Sequence, residues 1–240
     1  MTSFQKMGGL SAILAGITFA ASLTLGIVVF LSAPPELFKQ FQGGNIGAYL
    51  LFFAPNPSQR TTFTLVLIFQ TISSFLMVPA LLILYSFLKG IHYRNAIVAT
   101  ALTLTSLPFF ILDALLGFPL VGPFVDSFAV AGAAERASIV SILTFTTTFA
   151  QASVGVFYLF FGAALIIYSL TMLKGAFSRS LAWIGIAAGV ANIGSAIGNL
   201  IGGTLQFTGI ISSILLIIWF IGVGGSLYKR SSKVADVSSQ

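Results

Sequence analysis

Six apolar runs, each long enough to cross a hydrocarbon core of about 30 Å as a helix of about 20 residues, dominate this chain. They cover Gly8–Ser32, Thr61–Leu88, Asn95–Pro119, Ser138–Leu173, Leu181–Leu205 and Gly209–Tyr228. A backbone can enter lipid only with its hydrogen bonds closed internally, and separate runs of this length do so as α-helices. The predicted fold is therefore an all-α integral membrane protein, a six-transmembrane-helix bundle forming one domain. Composition agrees, with 57% hydrophobic and 7% charged residues in 240, against about 25% charged in a soluble domain. The first run is too long for the apolar region of a signal peptide, so we expect it to be retained. The fourth, at 36 residues, would be about 54 Å long as a helix. Its start should project above the membrane, or the helix should tilt.

Basic residues set the expected orientation. With the N-terminus inside, Lys6, Lys89, Arg94, Lys174, Arg179, Lys229, Arg230 and Lys233 lie inside, and Lys39, Arg60 and Arg136 lie outside. This bias satisfies the positive-inside rule. Both termini are thus predicted to be cytoplasmic, in a plasma membrane, with 229–240 as a cytoplasmic tail. The net charge of +6 sits in these short loops and not in a basic patch interleaved with aromatics, so we expect no nucleic-acid partner. The expected partners are the lipid bilayer and other membrane subunits or further copies of the chain.

Segment 33–60 is the longest connection. It reads as a short amphipathic helix (Glu36–Gln42), a glycine break and the apolar patch "AYLLFF". We expect it to lie along the outer interface, with Tyr49, Phe52 and Phe53 dipping into the headgroup boundary. A lid over an outward-facing cavity is the alternative.

Inside the third run, "LPFFILDALLGFPL" contains one ionisable residue, Asp113. An ionised aspartate at mid-helix costs roughly 2.5–3.5 kcal/mol on insertion, so Asp113 should face protein or water. Counting along the other runs places Gln70, Gln151 and Asn199 at a similar depth. No Lys or Arg lies within a span. Asp113 must then be protonated, bound by amide and hydroxyl donors, or paired with an incoming cation. Asn192, Ser195 and Asn199 form a polar stripe on the fifth run, beside a ridge of Gly194, Gly198 and Gly202 that would let another helix approach closely. The stripe reads either as part of the Asp113 cluster or as a packing seam. The threonines of "TFTTTFAQAS" can bond their own i−4 carbonyls and need no partner. Pro79 and Pro108 each free a backbone carbonyl, and the one freed by Pro108 could line the Asp113 site.

Two stretches are alike. "LLILYSFLKGIHYR" ends the second run and "ALIIYSLTMLKGAFSR" ends the fourth. Asp113 follows Arg94, the last residue of the first stretch, at nearly the same interval as Asn199 follows Arg179, the last of the second. A parallel repeat of two hairpins would set Asp113 and Asn199 across the bundle from one another, although inner turns need Lys, Arg and Gly in any case.

Chemistry of other kinds lacks its residues. With no cysteine and only His92, thiolate metal sites, iron–sulfur clusters and bis-histidine haem are excluded, and we expect no cofactor, metal site or catalytic residue. His92 with Met77 would be a formal haem pair, but His92 reads as a solvated turn residue. An aspartyl protease needs a second intramembrane carboxylate, and a serine protease needs a base.

The stretches "KMGGLSAILAGITF" and "SRSLAWIGIAAGVANIGSAIG" resemble those of a family of six-helix prokaryotic membrane proteins known as domain of unknown function 4386. The resemblance implies a six-helix fold and carries no activity or site residues. Two readings of function follow from the residues. The first is a non-enzymatic accessory or scaffold subunit of a membrane complex or homo-oligomer. The second is a transporter or channel for a proton, cation or small solute that uses Asp113. A water-accessible cavity at Asp113 would favour the second, and a dry polar seam the first.

Overall fold

The computed structural model describes residues 2–42, 45–175, 177–201 and 208–237. Each apolar run forms a long helix: α1 (Thr2–Leu31), α4 (Pro57–Leu88), α5 (Tyr93–Gly117), α7 (Ala133–Met172), α8 (Arg179–Ile201) and α9 (Thr208–Val237). All six are long and apolar enough to span a membrane. Between them lie the short helices α2 (Pro35–Gln42), α3 (Ile46–Phe53) and α6 (Pro123–Val130), and a 3-10 turn over Phe118–Leu120. The end of the fifth predicted run, 202–205, lies outside the described residues. α9 continues through Lys229 to Val237, so the described part of the segment after 228 is helical.

Neighbours in sequence are neighbours in space. α1 packs on α4, α4 on α5, α5 on α7, α7 on α8, α8 on α9, and α9 returns to α1. The result is a closed ring in chain order, antiparallel at every step. The short helices gather at one end, the capped end. The turn 89–92 and the chain after α7 at 173–175 mark the other, the turn end, where Gly175 adopts a φ of 113° that only glycine takes easily.

Two walls of the ring meet backbone to backbone. A β-carbon on Gly189 would lie 2.6 Å from the Gly162 carbonyl oxygen between α7 and α8, and one on Gly224 would lie 2.6 Å from that of Gly9 between α1 and α9. The predicted ridge is on a different face. Gly194 looks toward Thr208 at the start of α9, Gly198 is buried, and Gly202 lies outside the described residues. Five residues separate Gly189 from Gly194, about 140° around a helix, so α8 carries a second close contact, Gly185–Gly189, on another face from the predicted one. Interhelical hydrogen bonds assist: Ser22 Oγ donates to the Val66 carbonyl and Ser73 Oγ to that of Ala15, each at 3.0 Å.

Aromatic side chains fill the middle of the ring. Phe19 meets Phe110 edge-on at 5.9 Å, Phe110 stacks on Phe157 at 4.3 Å, and Phe157 stacks on Phe161 at 5.0 Å. Phe161 reaches Phe220 at 6.4 Å, and Trp219 abuts Phe220. All are buried. This plug continues into a solid apolar core toward the turn end through Leu84, Leu88, Met172 and Leu227. Within it, Ser169 Oγ and Trp219 Nε1 have no hydrogen-bond partner among the described residues. An unsatisfied buried hydroxyl costs about 1–3 kcal/mol, so Ser169→Ala is expected to leave thermal unfolding in detergent unchanged or to raise its midpoint. A clear fall would mean that the hydroxyl is bonded.

At the capped end, a second apolar core joins Ile46, Leu50, Phe52 and Phe53 of α3 to Val29, Leu120, Phe128 and Leu143. The expectation of an interfacial anchor is corrected here. Phe52 and Phe53 are 4% and 1% exposed and point into this core instead of toward headgroups, and half-buried Tyr49 packs edge-on against Phe30. The excess length of α7, a 40-residue helix of about 60 Å, supports the same roof.

Arg60, at the start of α4, pins α6 and its approach. Its Nε donates to the Val121 carbonyl at 3.1 Å, and its Nη1 pairs with Asp126 at 2.8 Å. Asp126 is 67% exposed, and such ion pairs are worth at most about 1 kcal/mol. Asp126→Asn should therefore barely alter proteolysis of segment 118–132. Arg60→Ala, which strips the Val121 carbonyl of its donor, should accelerate it several-fold.

Candidate functional site

Gln70 precedes Leu88, the end of α4, by nearly as many residues as Asp113 follows Tyr93, the start of α5. At a rise of about 1.5 Å per residue, both stand roughly 30 Å from the turn that joins the two helices. They meet there: Gln70 Nε2 donates to Asp113 Oδ2 at 3.0 Å. The turn itself is set by His92, which caps α5 by accepting from the Asn95 amide at 3.4 Å. His92 thus has a helix-capping role where a plain loop residue was expected.

Asp113 is half-buried although it lies inside the ring, because its free surface faces two cavities. The first, about 390 Å³, lies under the roof. Phe30, Ile46 and Tyr49 cover it, Gln70 and Asp113 stand on one side, and Thr144, Thr147, Thr148 and Gln151 of α7 stand on the other. The second, about 340 Å³, runs toward α9 between Ser22, Gly26, Phe110, Tyr158 and Ser213. Phe30, Val66, Gln70 and Asp113 line both, so the carboxylate–amide pair stands where the two chambers join.

The predicted cluster divides. Gln70 bonds Asp113, and Gln151 lines the first chamber with them. Asn192 and Ser195 belong to a separate polar contact between α8 and α9. Asn192 Nδ2 donates to the Ala188 carbonyl at 2.9 Å, Ser212 Oγ donates to Asn192 Oδ1 at 3.5 Å, and Ser195 Oγ lies 2.9 Å from Thr208 Oγ1. Asn199 lies against Gly155 of α7 and lines neither chamber, so it does not face Asp113. The carbonyl freed by Pro108 is that of Leu104, which also lines neither.

Several contributors were not singled out from sequence. Tyr158 lines the second chamber and lies within electrostatic reach of Asp113. It falls two helical turns beyond Gln151 on the same face of α7, which is the signal that could have found it. The three threonines do bond their own helix: Thr144, Thr147 and Thr148 donate to the carbonyls of Val140, Leu143 and Thr144 at 2.7, 2.9 and 2.8 Å. Their hydrogens are spent, and their oxygens still line the chamber as acceptors. In the roof, burial pushes the Tyr49 phenol above its ordinary value and keeps it neutral.

Access is from the side of the capped end. Thr144, Thr148 and Gln151 are exposed although they line the first chamber. α8 is described to Ile201, and its Asn199 sits opposite Gly155 of α7, so the chamber-lining part of α7 lies beyond the described end of α8. Toward the turn end the Phe19–Phe110–Phe157 stack closes the ring. Among the described residues no three His, Cys, Asp or Glu side chains gather to hold a metal ion. No family model, curated protein or solved structure matches the chain. The arrangement amounts to one carboxylate, fixed by an amide, in a chamber roofed at the capped end, exposed at its side along α7 and shut by aromatics toward the turn end.

Proposed function

We propose that this protein is a transporter that carries a cation or small cationic solute across the plasma membrane, with Asp113 as its binding charge. One observation carries the reading: the only carboxyl side chain in the six apolar runs stands at the junction of two chambers and not in a dry seam. Intramembrane carboxylates that face a cavity mark ion and solute pathways. An accessory or scaffold subunit would have no need of a chamber around its costliest residue, so the geometry weighs toward transport. The charge bias of the loops supports both termini lying in the cytoplasm, which turns the capped end and its opening outward. Membership of the six-helix family that the chain resembles belongs to this reading and contributes the fold alone. Passage to the other side requires the aromatic stack between α1, α5, α7 and α9 to part, the kind of bistable packing that alternating access uses.

Charge displacement on a solid-supported membrane tests the proposal. Proteoliposomes would receive protons, Na⁺, K⁺ and a series of organic ammonium ions in turn by rapid solution exchange. At least one should give a transient current that is absent with Asp113→Asn. Silence toward every cation, or currents indifferent to the substitution, would sink the transport reading.

A further inference from the structure

Resting on the assignment of Asp113 as the binding charge, we infer that the solute is an organic ammonium ion with an apolar, preferably aromatic, body and not a bare inorganic cation. Three features of the chambers lead there.

Size comes first. Each chamber, at about 390 and 340 Å³, falls in the range of about 300–1,000 Å³ that small-molecule pockets occupy. A metal ion stripped of water needs about six oxygens converging on one point. Here the threonine oxygens of α7 are separated from the Gln70–Asp113 pair by the first chamber itself. The oxygens line a room instead of closing around a centre.

Charge and hydrogen-bond polarity come second. Among the described residues, neither chamber has a lysine, arginine or histidine in its lining. The threonine hydrogens are already given to backbone carbonyls, and Gln70 turns its nitrogen toward Asp113, which leaves its amide oxygen as an acceptor. The polar surface therefore carries one negative charge and several acceptors, beside donors from the Gln151 amide and the Tyr158 hydroxyl. Its complement is a cation with several N–H donors, and an ammonium head has them.

The walls come third. Phe30, Tyr49 and Phe63 flank the carboxylate in one chamber, and Phe19, Phe110 and Tyr158 in the other. Aromatic faces attract organic cations and cover an apolar body. An ammonium group seated between Asp113 and the Gln70 oxygen would leave its body to lie along one of these aromatic sets.

Equilibrium dialysis of 2-(1-naphthyl)ethylammonium against the full-length protein in nanodiscs, with empty nanodiscs subtracted, tests this. The neutral 2-(1-naphthyl)ethanol and the anion 1-naphthylacetate serve as matched probes. The amine is expected to bind at least ten-fold more tightly than the alcohol, and the acid least. Asp113→Asn should erase the preference of amine over alcohol. Thr148→Phe, which fills the first chamber from its exposed rim, should weaken amine binding at least ten-fold. Equal binding of amine and alcohol to the unaltered protein overturns the inference, and so does a preference that survives Asp113→Asn. The unaltered protein and Thr148→Phe carry the test if Asp113→Asn does not fold. Asp113-dependent currents from H⁺, Na⁺ or K⁺ without amine binding would leave transport standing and remove this solute class. Amine binding through Asp113 with no current from any cation would keep the class and remove transport.

Discussion

Asparagine at position 113 is expected to cut the solute-evoked current at least about 30-fold while leaving the unfolding temperature unchanged or higher. The two halves of this result have opposite physical causes. Removing one member of a buried charged pair costs about 2–5 kcal/mol, and about 2 kcal/mol is roughly 30-fold. The loss falls on the bound state alone, because without solute Gln70 is the carboxylate's one hydrogen-bonding partner among the described residues. In the folded protein, asparagine is nearly isosteric and its oxygen can still accept from Gln70. Folding then no longer has to bring a carboxyl group into the bundle, a step that is often unfavourable. Parallel measurement of currents and of thermal unfolding in the same detergent preparation checks both halves. A variant that loses stability along with current would make Asp113 structural.

Alanine at Gly189 or Gly162 should give a stability loss among the largest that a single added methyl group causes in this chain, on a level with alanine at Gly224. The new β-carbon on Gly189 would stand 2.6 Å from the Gly162 carbonyl oxygen, and the one on Gly162 would stand 2.7 Å from that of Gly189. Backbone cannot swing aside like the tip of a flexible side chain, so α7 and α8 must separate along their length. Overpacking usually costs about 1–3 kcal/mol, and each substitution is expected at or above the top of that range. In lipid, close packing is a main source of helix association, which compounds the loss. The double variant should cost less than the sum of the two singles, since both act on one contact. Gly225→Ala is the control: nothing lies within 4 Å of its β-carbon position, and unfolding should hardly change. Equal midpoints for all three single variants would mean that the two helices do not touch as described.

How much of this could be read from sequence depends on what each residue needed to know about its neighbours. The pairing of Gln70 with Asp113 was legible because depth is set by counting along two helices joined by a tight turn. Gln151 was legible for the same reason. The stripe Asn192–Ser195–Asn199 was legible as a stripe but not as a destination. Helical spacing says that the residues share a side, whereas the ring decides that Asn192 and Ser195 meet α9 and Asn199 meets α7. The glycines were legible in part: two small-xxx-small series sit on α8, Gly194 of the predicted one looks toward Thr208, and the closer contact at Gly189 depends on the position of Gly162. Phe52 and Phe53 were ambiguous for a deeper reason, since a headgroup boundary and a protein roof welcome the same side chains. Helix α6 was passed over because "GPFVDSFAV" is too short to stand out between two long apolar runs, although Pro123 in its first turn suits a helix start.

The ring also orders its own assembly. Five of its six walls join helices that follow one another along the chain, so each can zip as its second member leaves the ribosome and enters the bilayer. The wall between α1 and α9 cannot. The first helix must wait beside α4 with Gly9 and Gly16 turned toward lipid until the last one arrives. Until then the barrel has a slit, and the aromatic stack lacks Trp219 and Phe220 to press against. The floor of the chambers is therefore braced only when α9 arrives, and a chain stopped before residue 208 would lack the wall that joins α9 to α1.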